Sequence, residues 1–149
     1  MYVIDASVFV ADAHPAEPHH AEAKALLALL RTNGAVIHVP VIALAEVASA
    51  ISRGTGRPSL ARRLVTAIQL APNLQIHPVT DALAQTAVDL AADHKLRGCD
   101  AIYVALADVL ATKLITLDGE QKTRSPAHII ARTPAEELTV QGNDPSNAR

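Results

Sequence analysis

Short runs rich in β-branched and other apolar residues alternate along the chain with longer Ala/Leu segments whose apolar positions recur at helical spacing. Runs at 2–4, 36–39, 74–79 and 114–117, with a weaker one at 128–131, predict strands. Between them the spacing predicts helices over 19–32, 41–53, 59–70, 82–95 and 100–111, with Thr80 or Asp81 as N-cap of the fourth. This alternation is an α/β signature, and strands so short suit a small, mostly parallel sheet flanked by helices. Asn33-Gly34, the Gly54 to Pro58 stretch and Gly98 read as turns inside one unit. Apolar periodicity is lost near the end, so a single domain is expected over 1–138 and a mobile tail over 139–149.

Composition narrows the class. Half of the 149 residues are apolar, and a chain of this length buries roughly 68–70% of the surface it would expose unfolded, enough for a core without staples. The single Cys99 leaves no internal disulfide. No basic stretch precedes an apolar run at the start, and the longest unbroken apolar run, 101–107, falls far short of the ~20 residues of a membrane helix. A soluble, cytoplasmic protein with no membrane contact is expected. The net charge of −2 supplies no general attraction for nucleic acid. With Tyr2, Phe9 and Tyr103 as the sole aromatics, a base-stacking RNA reader is excluded.

Most acidic residues lie among polar neighbours, as solvated helix faces require; Glu17, Glu22, Asp89, Asp93, Glu136 and Glu137 are of this kind. Four are not. Asp5 ends the first strand and precedes Ala6-Ser7-Val8-Phe9-Val10, while Glu46 stands inside 41–48, a helix apolar all round and therefore expected to be buried. Asp100 opens the helix of 101–107, and Asp118 ends the strand of 114–117. No neighbouring Lys or Arg offers obvious pairing, and an unpaired charge away from water is costly.

In a parallel α/β sheet the strand ends and the helix starts that follow them share one edge, where ligands bind. The four acids can therefore converge there. At ~4 Å and an effective dielectric near 20, each pair would repel by ~4 kcal/mol, so convergence calls for protons or a cation. All-oxygen ligation suits Mg²⁺ or Mn²⁺, ions that promote phosphodiester cleavage by activating a water.

At Asp118 a turn before Gly119 is the competing structural role, and Glu120 is the alternative fourth acid. Asp5, Glu46 and Asp100 have capping or backbone bonding as their structural alternative. Arg53, Arg57, Arg62 and Arg63 fall in a stretch without acids and are candidate contacts for an RNA backbone or a protein partner, against a solvated helix face. The seven His residues show no ligand spacing, and surface positions are expected for them. Cys99 reads as a small packed residue.

Val3-Ile4-Asp5-Ala6-Ser7-Val8, Pro40 with Glu46, Asp100 to Ala107, Leu114 to Asp118 and Thr133 to Leu138 together resemble PIN-domain ribonucleases of the VapC toxin type, from bacterial toxin-antitoxin pairs, over nearly the whole chain. The resemblance implies a three-layer α/β/α PIN-like fold and an endoribonuclease whose Mg²⁺ or Mn²⁺ is held by Asp5, Glu46, Asp100 and Asp118. Ser7 and Thr116 would be polar helpers in that pocket, with Thr116 and Asp118 on the same side by strand alternation. It also implies a homodimer, inhibition by a small antitoxin that covers the pocket, and products with a 5′-phosphate and a 3′-hydroxyl. Gln121 stands where relatives often carry an apolar or aromatic residue, which leaves open how firmly the loop after Asp118 is held.

Two other classes compete. One is a non-catalytic protein whose acidic pocket only receives a basic antitoxin segment. The other is a receiver-like phosphotransfer domain, which would need a lysine near the pocket; Lys113 lies at the wrong end of its strand.

Overall fold

The structure is a computed structural model that describes residues 1–143. Its first strand, β1 (Tyr2–Ile4), is buried at all three positions although alternate side chains point to opposite faces. Such a strand must be covered on both sides, and it forms the centre of a five-stranded, wholly parallel sheet between helical layers. The chain continues through α1 (Ala6–Ala13), α2 (His20–Thr32), β2 (Ile37–Pro40), α3 (Ile42–Thr55), α4 (Pro58–Gln69), β3 (Leu74–His77), α5 (Asp81–His94), α6 (Gly98–Val109), β4 (Lys113–Ile115), α7 (Gly119–Arg124), β5 (Ala131–Arg132) and α8 (Pro134–Gly142).

The strand order is β3-β2-β1-β4-β5. The chain thus winds outward from β1 in one direction through β2 and β3, then returns to the other side of β1 for β4 and β5. In register Tyr2 faces Ile37 on one side and Lys113 on the other, and Ile4 faces Ile115. The reversal falls between β1 and β4, where neighbouring crossovers diverge and open a crevice at the carboxyl edge. Asp5 and Asp118 follow those two strands.

The five predicted strands and five predicted helices are all present, with shifted ends. Three further helices are α1, α7 and α8, all begun by a capping side chain. Asp5 accepts from Ser7 N, Asp118 from Glu120 N and Gln121 N, and Thr133 forms a capping box with Glu136. Asp5 and Asp118 are therefore N-caps rather than the last residues of strands. Thr80 caps α5 through Leu83 N. Gly56, left-handed at φ 65°, closes α3, a conformation costly for a residue with a Cβ. Residues 139–142, expected in the tail, are the last turn of α8; 144–149 lie outside the described residues.

Two burial expectations are overturned. Helix α3 is not buried all round: Ala43, Val47 and Ile51 face the core, while Val41 and Ala45 are exposed and Glu46 is half-buried. Ala side chains read as apolar in sequence but cost little at the surface. Glu137, read as solvated, is fully buried. It accepts from Tyr2 Oη at 2.8 Å, Lys113 Nζ at 2.9 Å, Arg132 Nη1 at 2.7 Å and Gln141 Nε2 at 3.0 Å, so α8 is fastened across β1, β4 and β5 by one carboxylate. His38 also departs from expectation. It is buried, with Nδ1 2.9 Å from His77 Nε2 on the adjacent strand, and burial together with that second ring lowers its pKa.

Candidate active site

All four singled-out acids line one cavity of about 710 Å³ at the carboxyl edge of the sheet. Asp5 arrives from the end of β1, Glu46 from the second turn of α3, Asp100 from the first turn of α6 and Asp118 from the start of α7. No two are close in sequence, so the reversal of strand order is what brings them together.

Asp5 is the most enclosed, at 7% exposure. Its Oδ1 accepts from Ser7 N at 2.9 Å and from Ser7 Oγ at 2.5 Å, and Ser7 Oγ in turn accepts from Leu117 N at 3.1 Å. Ser7 thus fixes the Asp5 rotamer and ties the end of β1 to the chain beyond β4. Burial pushes the Asp5 pKa up, the Ser7 bonds pull it down, and the charge of Asp118 adds a further rise.

Glu46 accepts from Tyr103 Oη at 2.5 Å. Burial raises its pKa most; the Tyr103 bond opposes the rise, and Asp5 adds to it. Tyr103 is fully buried in α6, and burial followed by the charges of Asp5 and Glu46 raises its own pKa, so the hydroxyl stays a donor. Tyr103→Phe removes that donor and leaves the Glu46 carboxylate less favoured. The expected outcome is a further upward shift of the Glu46 titration by carboxyl NMR, at a stability cost of about 1–3 kcal/mol. An unchanged titration would assign Tyr103 to packing only.

Asp100 is pushed up to about 6, by burial first, then by Asp118 and Asp5, with Arg97 opposing and Glu46 adding. Three of those five influences are the other acids of the cavity. Gln121, fully buried, donates from Nε2 to the Asp100 carbonyl at 3.3 Å, and its backbone N–H reaches Asp118 Oδ1 at 2.9 Å. The loop after Asp118 is consequently a short helix pinned to α6.

Asp118 Oδ1 also accepts from Glu120 N at 2.8 Å, which leaves Oδ2 toward Arg97 at 3.6 Å. Arg97 is the basic partner that the sequence did not reveal. Its second nitrogen lies 3.5 Å from Glu120, and at its exposure such pairs contribute little to stability. Glu120 does not line the cavity, whereas Asp118 does.

The polar helpers divide. Ser7 lines the cavity, but Thr116 is fully buried outside it; its Oγ1 accepts from Asp118 N at 3.0 Å and so orients the acid through the backbone. Of the four arginines, Arg53 lines the cavity, while Arg57, Arg62 and Arg63 are exposed elsewhere on the α3–α4 unit. Cys99 is exposed rather than packed. Partial desolvation and the nearby Glu46 carboxylate raise its pKa, which suppresses thiolate chemistry. Arg97 and Tyr103 escaped sequence reading because Asp118 and Glu46, which they meet, are remote in sequence; Gln121, three residues after a capping Asp, carried a local signal.

The donor chemistry fits a hard divalent ion: four carboxylates on one cavity, where neighbouring acids raise the cost of the charge on Asp5, Glu46 and Asp100. Among the described residues no three or more His, Cys, Asp or Glu side chains are gathered closely enough to hold a metal ion as they stand. The fit therefore rests on donor type, shared cavity and mutual electrostatic strain.

The PIN domain family matches over residues 2–125. Among solved structures the fold is similar to VapC20 of Mycobacterium tuberculosis, a sarcin-ricin loop cleaving toxin, at 20% identity and TM-score 0.73, covering 87% of this chain and 99% of that one. It is similar to VapBC2 of Rickettsia felis bound to promoter DNA, at 17% identity and TM-score 0.69, over 89% and 97% of the two chains. A toxin-antitoxin complex from Klebsiella pneumoniae matches at 20% identity and TM-score 0.66, over 90% and 98%. No curated protein matches in sequence. No helix among the described residues is long and apolar enough to cross a membrane.

Proposed function

This chain belongs to the PIN-domain family, and from that premise we propose that it is a metal-dependent endoribonuclease, the toxin of a toxin-antitoxin pair acting in the cytoplasm. The observation that carries the proposal is the convergence of Asp5, Glu46, Asp100 and Asp118 on one cavity, where neighbouring acids make Asp5, Glu46 and Asp100 harder to ionise. Protons or a cation must relieve that strain, and Mg²⁺ or Mn²⁺ matches the all-oxygen donors. Such an ion supplies a water of lowered pKa and positive charge against the phosphate under attack.

The chain's own residues would do the rest. Asp5, clamped by Ser7, and Asp118, clamped by the start of α7, present carboxylates from fixed backbone. Asp100, its pKa pushed up to about 6 by burial and by the neighbouring acids, offers its carboxyl from the first turn of α6. Glu46, held by Tyr103, faces them from α3. Among the described residues Cys99 is held as a thiol and Ser7 is engaged between Asp5 and Leu117 N, which supports direct attack by water without a covalent intermediate.

The proposed partners are RNA, a small antitoxin whose basic segment would neutralise the same acids, and a second copy of the chain; structural similarity to toxin-antitoxin complexes supports the second. The test is incubation of purified, antitoxin-free protein with structured RNA in Mg²⁺ or Mn²⁺. Discrete fragments with 5′-phosphate ends, absent in EDTA, are expected. Antitoxin binding by folded protein with no metal-dependent cleavage of any RNA class would favour the non-catalytic acidic pocket instead.

A further inference from the structure

Away from the acids, one edge of the sheet carries a titratable pair. Strand β3 is the outermost strand on its side and is joined to β2 alone. His77, its last residue, is half-buried, and its Nε2 lies 2.9 Å from Nδ1 of His38, which is 5% exposed. The other ring nitrogen of His38, Nε2, is sealed from solvent and has no hydrogen-bond partner among the described residues. The carbonyl of His77 accepts from Val41 N at 2.8 Å, so the end of β3 also holds the N-cap of α3.

The four ring nitrogens share two hydrogens when the pair is neutral. One bridges the rings, and the second can rest on His77 Nδ1, leaving His38 Nε2 a bare lone pair. A third hydrogen, with the bridge kept, must go to His38 Nε2, where it becomes a buried donor without an acceptor. A fourth places N–H on both facing nitrogens, which breaks the bond and sets two charged rings against each other. The titratable groups on the elements packed against β2 are Tyr2 and the amino terminus on the β1 side, His77 on β3, and Cys99, Asp100, Tyr103 and Asp108 on α6. Of these, only His77 and the amino terminus bear on His38; together with burial, the largest influence, both hold its pKa below the ordinary 6.5, and no carboxylate opposes them. Leu74 faces α4, so by strand alternation His77 points away from that helix and its Arg62 and Arg63.

We propose that His38 and His77 form an acid-operated latch at the edge of the sheet: bonded to each other they hold the end of β3 and with it the start of α3, and charging the rings releases both. The latch is independent of the nuclease reading, since neither ring lines the acidic cavity. A base whose folded-state pKa is depressed contributes stability that is full above its unfolded value, here about 6.5, and is lost as pH falls through that value toward the folded one.

The test is amide hydrogen exchange between pH 5.5 and 8, expressed as protection factors so that the intrinsic rate drops out. The reporters are Val41 N–H, bonded to His77 O, and Leu114 N–H, bonded to Ile130 O at the other edge. In the wild type, Val41 protection is expected to fall about tenfold from pH 8 to 5.5, the change required when only the opened state binds one proton at a pKa of about 6.5, while Leu114 changes less than about twofold. His38→Gln can still bond to His77 but cannot charge, so its Val41 protection should stay flat within about twofold. His77→Val keeps a good strand former but removes the bond, and should bring Val41 protection at pH 8 close to the acid value of the wild type. His128→Gln, an exposed ring bonded to Asp108, should follow the wild type. Val41 protection that is independent of pH in the wild type, an equal fall at Leu114, a dependence that persists in His38→Gln, or wild-type protection at pH 8 in His77→Val would each overturn the latch. Should His38→Gln fail to fold, the wild type and His77→Val still decide it.

Discussion

Asp100→Asn is expected to lower metal-dependent RNA cleavage by roughly 10³-fold or more while leaving the fold intact. The amide keeps the shape of the carboxyl and removes a charge on which Asp118, Asp5 and Glu46 all bear. The same substitution should stabilise the metal-free protein. In the folded state the Asp100 pKa lies at about 6 against an ordinary 3.8, so the folded protein binds this proton more tightly than the unfolded chain does. Stability from this group is full below about pH 3.8 and is lost as pH rises through about 6. Unscreened, that difference is about 3 kcal/mol; solvent in the open cavity reduces it to about 1–2 kcal/mol. Thermal melts of both proteins in EDTA between pH 4 and 8 should therefore converge at the acid end and separate at the neutral end. A variant that melts lower at every pH would make Asp100 a structural carboxylate.

Glu137→Ala is expected to cost about 3–5 kcal/mol, a melting temperature lower by about 6–20 °C, because it strands Lys113, Arg132 and Tyr2 around an empty acceptor site. Here the sign of the pH dependence is opposite. Burial would raise the Glu137 carboxyl, but hydrogen bonds from Arg132, Gln141, Lys113 and Tyr2 outweigh it and hold the pKa at about 2 against 4.5. The contribution is present above pH 4.5 and is lost as pH falls through about 2, on the order of 3 kcal/mol over that window. Glu137→Gln keeps the shape and part of the bonding, so it should cost less and flatten the acid limb of the stability profile. Chemical denaturation at pH 7 and pH 3 separates the variants; equal losses for Glu137→Ala at both would show that its charge carries none of the effect. Glu137 does not line the acidic cavity, so in protein that remains folded Glu137→Gln should leave the proposed metal requirement unchanged.

What sequence revealed and what it hid follow one physical division. The four acids were legible because each breaks a local apolar pattern, and a carboxylate in such a setting needs a reason. Helices α1, α7 and α8 were passed over because periodicity is weak in short elements, although Asp5, Asp118 and Thr133 carried the cap signal that starts each one. The strand order, and with it the meeting of Asp5 with Asp118, depends on which side of β1 the chain turns to, a choice no local pattern records. Glu137 was misread for a related reason. Its flank in α8 is polar, and the groups that make its burial tolerable, Lys113, Arg132 and Tyr2, come from three different strands. Arg97 and Tyr103 act on the acids across the same kind of gap, 21 residues in one case and 57 in the other.

The claim that these acids form a divalent-ion site is tested most directly by anomalous diffraction from crystals soaked in Mn²⁺. One or two peaks are expected in the cavity, bounded by the carboxylates of Asp5, Asp100 and Asp118 with Glu46 facing them, and absent from crystals of Asp5→Asn. A cavity without anomalous density, at a Mn²⁺ concentration that supports full cleavage in solution, would contradict it.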